Sequence, residues 1–210
     1  MNWLENKKLY LIIDTSYVKP ENAVSVCEEM CESGADIIQL RDKNLSDKDK
    51  YNLSLEIRKI TSKYNIPFIV NDRLDIALSV DADGIHLGQD DLPVPTAREI
   101  INRYQKSMII GLSTHSYDQA IEASKLPIDY LATGPLFPTQ TKPDYIPIGL
   151  EQAKLVVNEI KDKPVFGIGN INKDTISDVL ASGINRIVVV SAILKSENRK
   201  ESIGFFKKLL

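Results

Sequence analysis

Short apolar runs recur along the chain, and each ends in a polar residue. The first is Leu9-Tyr10-Leu11-Ile12-Ile13, closed by Asp14. Ile37-Ile38-Gln39-Leu40 follows and turns polar at Arg41, Asp42 and Lys43. Later runs are Pro67 to Val70 before Asn71-Asp72-Arg73, Gly84 to Gly88 before Gln89-Asp90-Asp91, and Met108 to Gly111 before Ser113-Thr114-His115. The last three are Tyr130 to Thr133, Val165 to Gly169 before Asn170, and Arg186 to Val190 before Ser191. Continuous apolar runs of this length predict strands buried on both faces.

Helical patterns fill the gaps. Pro20 opens one that carries Ala23, Val24, Cys27, Met30 and Cys31 on its apolar side and stops near Gly34. Ser46 is placed to cap the next, which carries Tyr51, Leu53, Leu55, Ile57 and Ile60. Further helices are predicted up to Val80, from Pro95 to Tyr104, around 118–125, from Leu150 to Ile160 and through Val179, with an amphipathic segment ending at Leu210. Parallel strands need crossover connections, usually helical, so this alternation predicts a parallel sheet. About eight units close into a (β/α)8 TIM barrel, an α/β fold, and no linker divides residues 1–210 into more than a single domain. An open doubly wound sheet is the fold alternative; no G-x-G-x-x-G follows the first strand.

Composition narrows the partners. A 43% apolar chain with net charge −3 has no general attraction for nucleic acid. No stretch nears the roughly 20 apolar residues of a membrane span, and the N-terminus lacks the core of a secretory signal. The chain reads as cytoplasmic, with homo-oligomerisation left open. Cys27 and Cys31 share a helix face, which suits packing rather than a metal knuckle.

A barrel of this kind carries its active site at the C-terminal ends of the strands. Those ends hold Gln39, Arg41, Lys43, Asn71, Asp72, His86, Asp91 and Ser113. The loop Gly134-Pro135-Leu136-Phe137-Pro138-Thr139-Gln140-Thr141-Lys142 adds hydroxyls and a cation on a stiff turn. Arg41, Lys43 and Lys142 are cations from separate loops and point to an anion. Asp72 and Asp91 read either as an acid–base pair or as a Mg²⁺ site beside a polyphosphate, and Asp72 could instead pair with Arg73 or Arg41. Gly167, Gly169 and Ser191 close the last two strands, where barrels often bind a monophosphate.

Taken in order, Gln39-Leu40-Arg41-Asp42-Lys43, Asn71-Asp72-Arg73, Asp83 to Asp91, Gly111 to His115, Gly134 to Lys142, Gly167-Ile168-Gly169 and Val190 to Ile193 resemble thiamine phosphate synthase. The resemblance implies a transferase of thiamine biosynthesis. It would join hydroxymethylpyrimidine diphosphate to a thiazole monophosphate, giving thiamine phosphate and pyrophosphate. It also implies Mg²⁺ on Asp72 and Asp91. The diphosphate would lie on Arg41, Lys43, Asn71, Ser113 and Lys142, and the pyrimidine near Gln39 and His86. The thiazole phosphate would lie near Thr139, Thr141, Gly169 and Ser191. Asn170 departs from the family, whose members often carry glycine there. A related thiazole tautomerase and a non-catalytic phosphate-binding barrel are the alternatives; His115 does not separate tautomerase from synthase.

Overall fold

The computed structural model describes residues 4–139 and 146–210. The elements alternate as β1 (Leu9–Asp14), α1 (Pro20–Glu32), β2 (Ile37–Arg41), α2 (Asp47–Lys63), β3 (Phe68–Asn71) and α3 (Leu74–Ser79). They continue as β4 (Gly84–Leu87), α4 (Val94–Arg103), β5 (Ile109–Thr114), α5 (Tyr117–Ser124), β6 (Tyr130–Thr133) and α6 (Gly149–Glu159). The last are β7 (Val165–Ile168), α7 (Ile176–Ala181), β8 (Ile187–Val189), α8 (Ser191–Leu194) and α9 (Arg199–Leu209). The strands form a closed barrel in chain order, and every pairing is parallel, including β1 with β8.

Strand side chains alternate between two cores, as the two-residue period requires. Leu9, Leu11, Ile13, Ile38, Leu40, Phe68 and Val70 point outward and pack with the helices. Tyr10, Ile12, Ile37, Ile69, Tyr130, Phe166 and Val188 fill the barrel interior. Leu4, only 1% exposed, joins this inner cluster. Burial on both faces explains why the strands read as unbroken apolar runs.

The N-terminal ends of the strands carry a repeated device. Asp36, immediately before β2, accepts the Leu9 N–H at 2.9 Å, while its own N–H donates to the Leu9 carbonyl at 2.9 Å. Asp83 before β4 does the same with Phe68 (2.8 and 2.9 Å), and Asp129 before β6 with Ile110 (2.7 and 2.8 Å). Each carboxylate also pairs with a helix cation: Lys207, Arg58 and Arg98 respectively. At the fourth such position stands Arg186, whose carbonyl accepts the Gly167 N–H at 2.9 Å.

Several local expectations hold. Ser46 accepts the Asp49 N–H and caps α2, and Gly34 adopts φ +99° past the end of α1. Cys27 and Cys31 are free thiols buried in the outer core. Three details differ. Val24 is only partly buried, because Val26 takes the core-facing position. β5 runs on to Thr114, paired with Thr133, so the strand extends past the expected end at Gly111 and Ser113 lies within it. The extra helix α8 follows β8 directly. Among the described residues, no helix is long and apolar enough to cross a membrane.

Candidate active site

A cavity of about 310 Å³ opens at the C-terminal ends of the strands. Its walls include Gln39, Arg41, Lys43, Asn71, Asp72, His86, Asp91, Ser113, Thr139, Gly169 and Ser191. Apart from Gly167, every candidate from the sequence that falls within the described residues is therefore on one surface. Gln140, Thr141 and Lys142 lie outside the described residues.

The order of strands around the barrel divides this surface. On the arc from β2 to β5 lie Arg41, Lys43, Asn71, Asp72, Asp91 and Ser113. On the arc from β6 to β8 lie Thr139, Gly169, Asn170 and Ser191. Ile12, Ile168, Val188 and Val190 add apolar wall. The first arc is charged; the second offers backbone and hydroxyl groups.

Arg41 is held by Asp14, with Nη1 donating to Oδ2 at 2.7 Å. Asp14 is 1% exposed, and its other oxygen accepts the Ser16 N–H and hydroxyl at 2.9 and 2.7 Å. A buried carboxylate with both oxygens occupied gives the guanidinium a fixed direction. The next residues form a tight loop. Asp42 accepts the Asn44 and Leu45 N–H groups at 3.1 and 2.8 Å, and also bonds Thr15. That loop presents Lys43, which pairs with Asp72. Neither Arg73 nor Arg41 takes Asp72: Arg73 is spent on Asp47 and Asp75, and Arg41 on Asp14.

Asp72 itself has φ 61°, with the Arg73 N–H donating back to the Asn71 carbonyl at 2.7 Å. This is a γ-turn at a non-glycine residue, a strained conformation that turns the carboxylate into the mouth. Asp91 lies beside it and accepts the Gly88 N–H at 2.7 Å. Burial and the Asp72 carboxylate push Asp91 above the ordinary range, against the pull of the Gly88 N–H and Lys43. The described walls hold four carboxylates, Asp14, Asp72, Asp90 and Asp91, against the cations Arg41 and Lys43. The sequence suggested a cationic mouth; its described part carries more negative charge than positive.

The second arc is shaped by backbone. Gly169 has φ +109°, and a Cβ there would come within 2.5 Å of the Pro135 Cα. A Cβ on Gly134 would lie 2.2 Å from the Ile168 carbonyl oxygen. The two loops interlock through these glycines, joined by the Leu136 N–H to the Ile168 carbonyl at 2.8 Å. Asn170 adopts φ 52°, so the left-handed turn forms without the second glycine. Gly167 points instead at Ile184 and Leu136 and serves packing.

Sequence reasoning missed Asp14, Tyr10 and Tyr130. Gln39 donates to the Tyr10 hydroxyl at 2.5 Å, and Tyr10 meets the Tyr130 hydroxyl at 3.0 Å. His86 bonds Tyr130 through Nδ1 and Ser113 through Nε2, both at 2.9 Å. Tyrosines in apolar strands carry no mark of this in sequence. Their positions on the inward phase of β1 and β6 were the available signal. His115, of unassigned role, donates from Nδ1 to the Gly134 carbonyl at 2.6 Å.

Known proteins match this chain throughout. The family model described as thiamine monophosphate synthase matches residues 9–193. A thiamine-phosphate synthase of Persephonella marina is 45% identical over 202 residues, covering 96% of this chain and 95% of that protein. One of Pyrococcus horikoshii is 42% identical over 210 residues, covering 100% and 98%. The structure of a thiamine phosphate pyrophosphorylase from Pyrococcus furiosus superposes with TM-score 0.87 at 39% identity, covering 99% of this chain and 96% of that one. The chain belongs to the thiamine monophosphate synthase family.

Proposed function

We propose that the protein joins 4-amino-2-methyl-5-hydroxymethylpyrimidine diphosphate to a 4-methyl-5-hydroxyethylthiazole monophosphate, releasing thiamine phosphate and pyrophosphate. The observation that carries this is the division of one mouth into a charged arc and a backbone-and-hydroxyl arc. One suits a diphosphate, the other a monophosphate, and the apolar wall suits two flat rings.

In this reading Arg41, Lys43, Asn71, Ser113 and Lys142 hold the diphosphate. Gln39 and His86 border the pyrimidine. Thr139, Thr141, Gly169 and Ser191 receive the thiazole phosphate. Asp72 and Asp91 would hold Mg²⁺. Their crowding supports this: two adjacent carboxylates, one pushed up in pKa by burial and its neighbour, suit a divalent ion. Among the described residues no cluster of three or more acidic, His or Cys groups could hold a metal. A pair fits Mg²⁺, which takes its remaining ligands from water and phosphate oxygens. When bound, the ion neutralises charge on the departing diphosphate.

The carbon–oxygen bond of the pyrimidine methylene breaks with its electron pair leaving on pyrophosphate. The thiazole nitrogen supplies the pair that forms the new carbon–nitrogen bond. That nitrogen has no proton to lose, so no general base is needed. Arg41, Lys43, Ser113 and Lys142 stabilise the charge that grows on the leaving group, in directions fixed beforehand by groups such as Asp14. Holding both halves in one cavity supplies the rest.

The test is pyrophosphate release measured with both halves, with each alone, and after chelation. Release that needs both halves and Mg²⁺ is expected. Turnover that survives complete chelation removes the metal from the scheme; consumption of the thiazole phosphate alone favours a tautomerase.

A further inference from the structure

Across β4, β5 and β6, His86, Gly111 and Tyr130 stand in one register row. A Cβ on Gly111 would lie 2.0 Å from the Tyr130 Cζ and 2.3 Å from its hydroxyl. The missing side chain is therefore what lets the Tyr130 phenol cross β5 and reach His86. Behind Tyr130 the chain of contacts continues through Tyr10 to Gln39. All of Tyr10, Gln39 and Tyr130 are at most 1% exposed.

Buried hydroxyls place their protons on acceptors, which gives such a row a direction. Gln39 Nε2 donates to Tyr10. The Tyr10 proton then goes to Tyr130, and the Tyr130 proton to His86 Nδ1. Nε2 of His86 must carry the remaining ring proton and donate it to Ser113 Oγ. We propose that Tyr130 is a positioning residue: it locks His86 as the Nε2–H tautomer, so that the Ser113 hydroxyl proton is left for a phosphate oxygen in the mouth. Turning the Gln39 amide over would reverse every donor. Ser113 would then spend its proton on His86 and face an anion with lone pairs alone, which is repulsive. Burial drives the ionisation of both phenols upward, so each keeps the proton this arrangement needs.

The assignment of Ser113 to a phosphate oxygen rests on the function proposed above; the tautomer follows from the donation of Gln39 Nε2 to Tyr10. Both can be read separately, because the chain has only two histidines. In ¹⁵N-labelled protein without ligand, His86 is expected as a single Nε2–H tautomer. His115, whose Nδ1 faces a carbonyl, is expected as Nδ1–H. His115→Gln assigns the two signals. Tyr130→Phe should abolish the single-tautomer pattern of His86 and lower kcat for pyrophosphate release about tenfold, the worth of one hydrogen bond. KM for the thiazole substrate should hold. Ser113→Ala should lose at least as much, and the double variant no more than Ser113→Ala alone.

An Nδ1–H or doubly protonated His86 in the unaltered protein overturns the proposal, even if Tyr130→Phe fails to fold. So does a double variant whose losses multiply. An unaltered protein that shows the expected tautomers yet releases no pyrophosphate overturns the functional reading and leaves the tautomer assignment standing.

Discussion

Asp91 shows at the scale of one residue how a site can work against its own fold. Its carboxyl is pushed above the ordinary range by burial first and by Asp72 second. A raised acid pKa means that the folded state favours the protonated form, so ionised Asp91 costs stability once pH exceeds its unfolded value near 4. Asp91→Asn removes that charge while leaving an oxygen for the Gly88 N–H, now 2.7 Å from Oδ2. At pH 7 and without metal the variant should be between unchanged and about 1 kcal/mol more stable. Turnover should nonetheless fall by about a hundredfold or more, the scale of losing a fixed electrostatic group. Urea titration beside a pyrophosphate-release assay reads both. A destabilised variant would mean that Asp91 is structural and that its place in the mouth is incidental.

At the scale of elements, the strands were the most legible part, because burial on both faces leaves an unbroken apolar run. Their ends were less so. The apolar run is expected to stop at Gly111, with Ser113 just past its end, yet β5 continues through Leu112 and two hydroxyl residues. Inward-facing polar groups near the mouth do not interrupt strand pairing, so hydropathy alone cannot locate the end. The interlock of the loops after β6 and β7 was equally silent, since it depends on which glycine meets which backbone. It predicts that Gly169→Ala costs about 2–4 kcal/mol, combining an unfavourable φ with a collision against Pro135. KM for the thiazole phosphate should rise with it. Gly183→Ala is the control: it shares the positive φ, but nothing lies within 4 Å of its added Cβ. Only the strain term should appear there, about 1 kcal/mol, in chemical denaturation. Equal losses at the two sites would dismiss the interlock.

Over the whole molecule the two ends of the barrel divide the labour. The C-terminal end gathers the candidate site; the N-terminal end carries the aspartate clamps, whose two-strand period is invisible to a reading that follows units one by one. Asp36 shows what such a clamp contributes. Burial pushes its carboxyl up, but the Leu9 N–H, Lys207 and the Lys8 N–H together pull it below the ordinary range. A depressed acid contributes stability above its unfolded pKa, near 3.9, and loses that contribution as pH falls through the folded value. Asp36→Asn should therefore cost about 1–2 kcal/mol at pH 7, the worth of charge-assisted bonds weakened to neutral ones. The gap between the two proteins should narrow once pH drops below about 4, since the unaltered protein then loses the charge as well. Because Asp36 lies at the opposite end from the cavity, kcat and KM should be unchanged wherever both proteins are folded. Urea midpoints from pH 7 down to pH 3, with kinetics at pH 7, decide it. A gap that stays constant with pH would deny the clamp its charge, and a changed KM would deny the separation of the two ends.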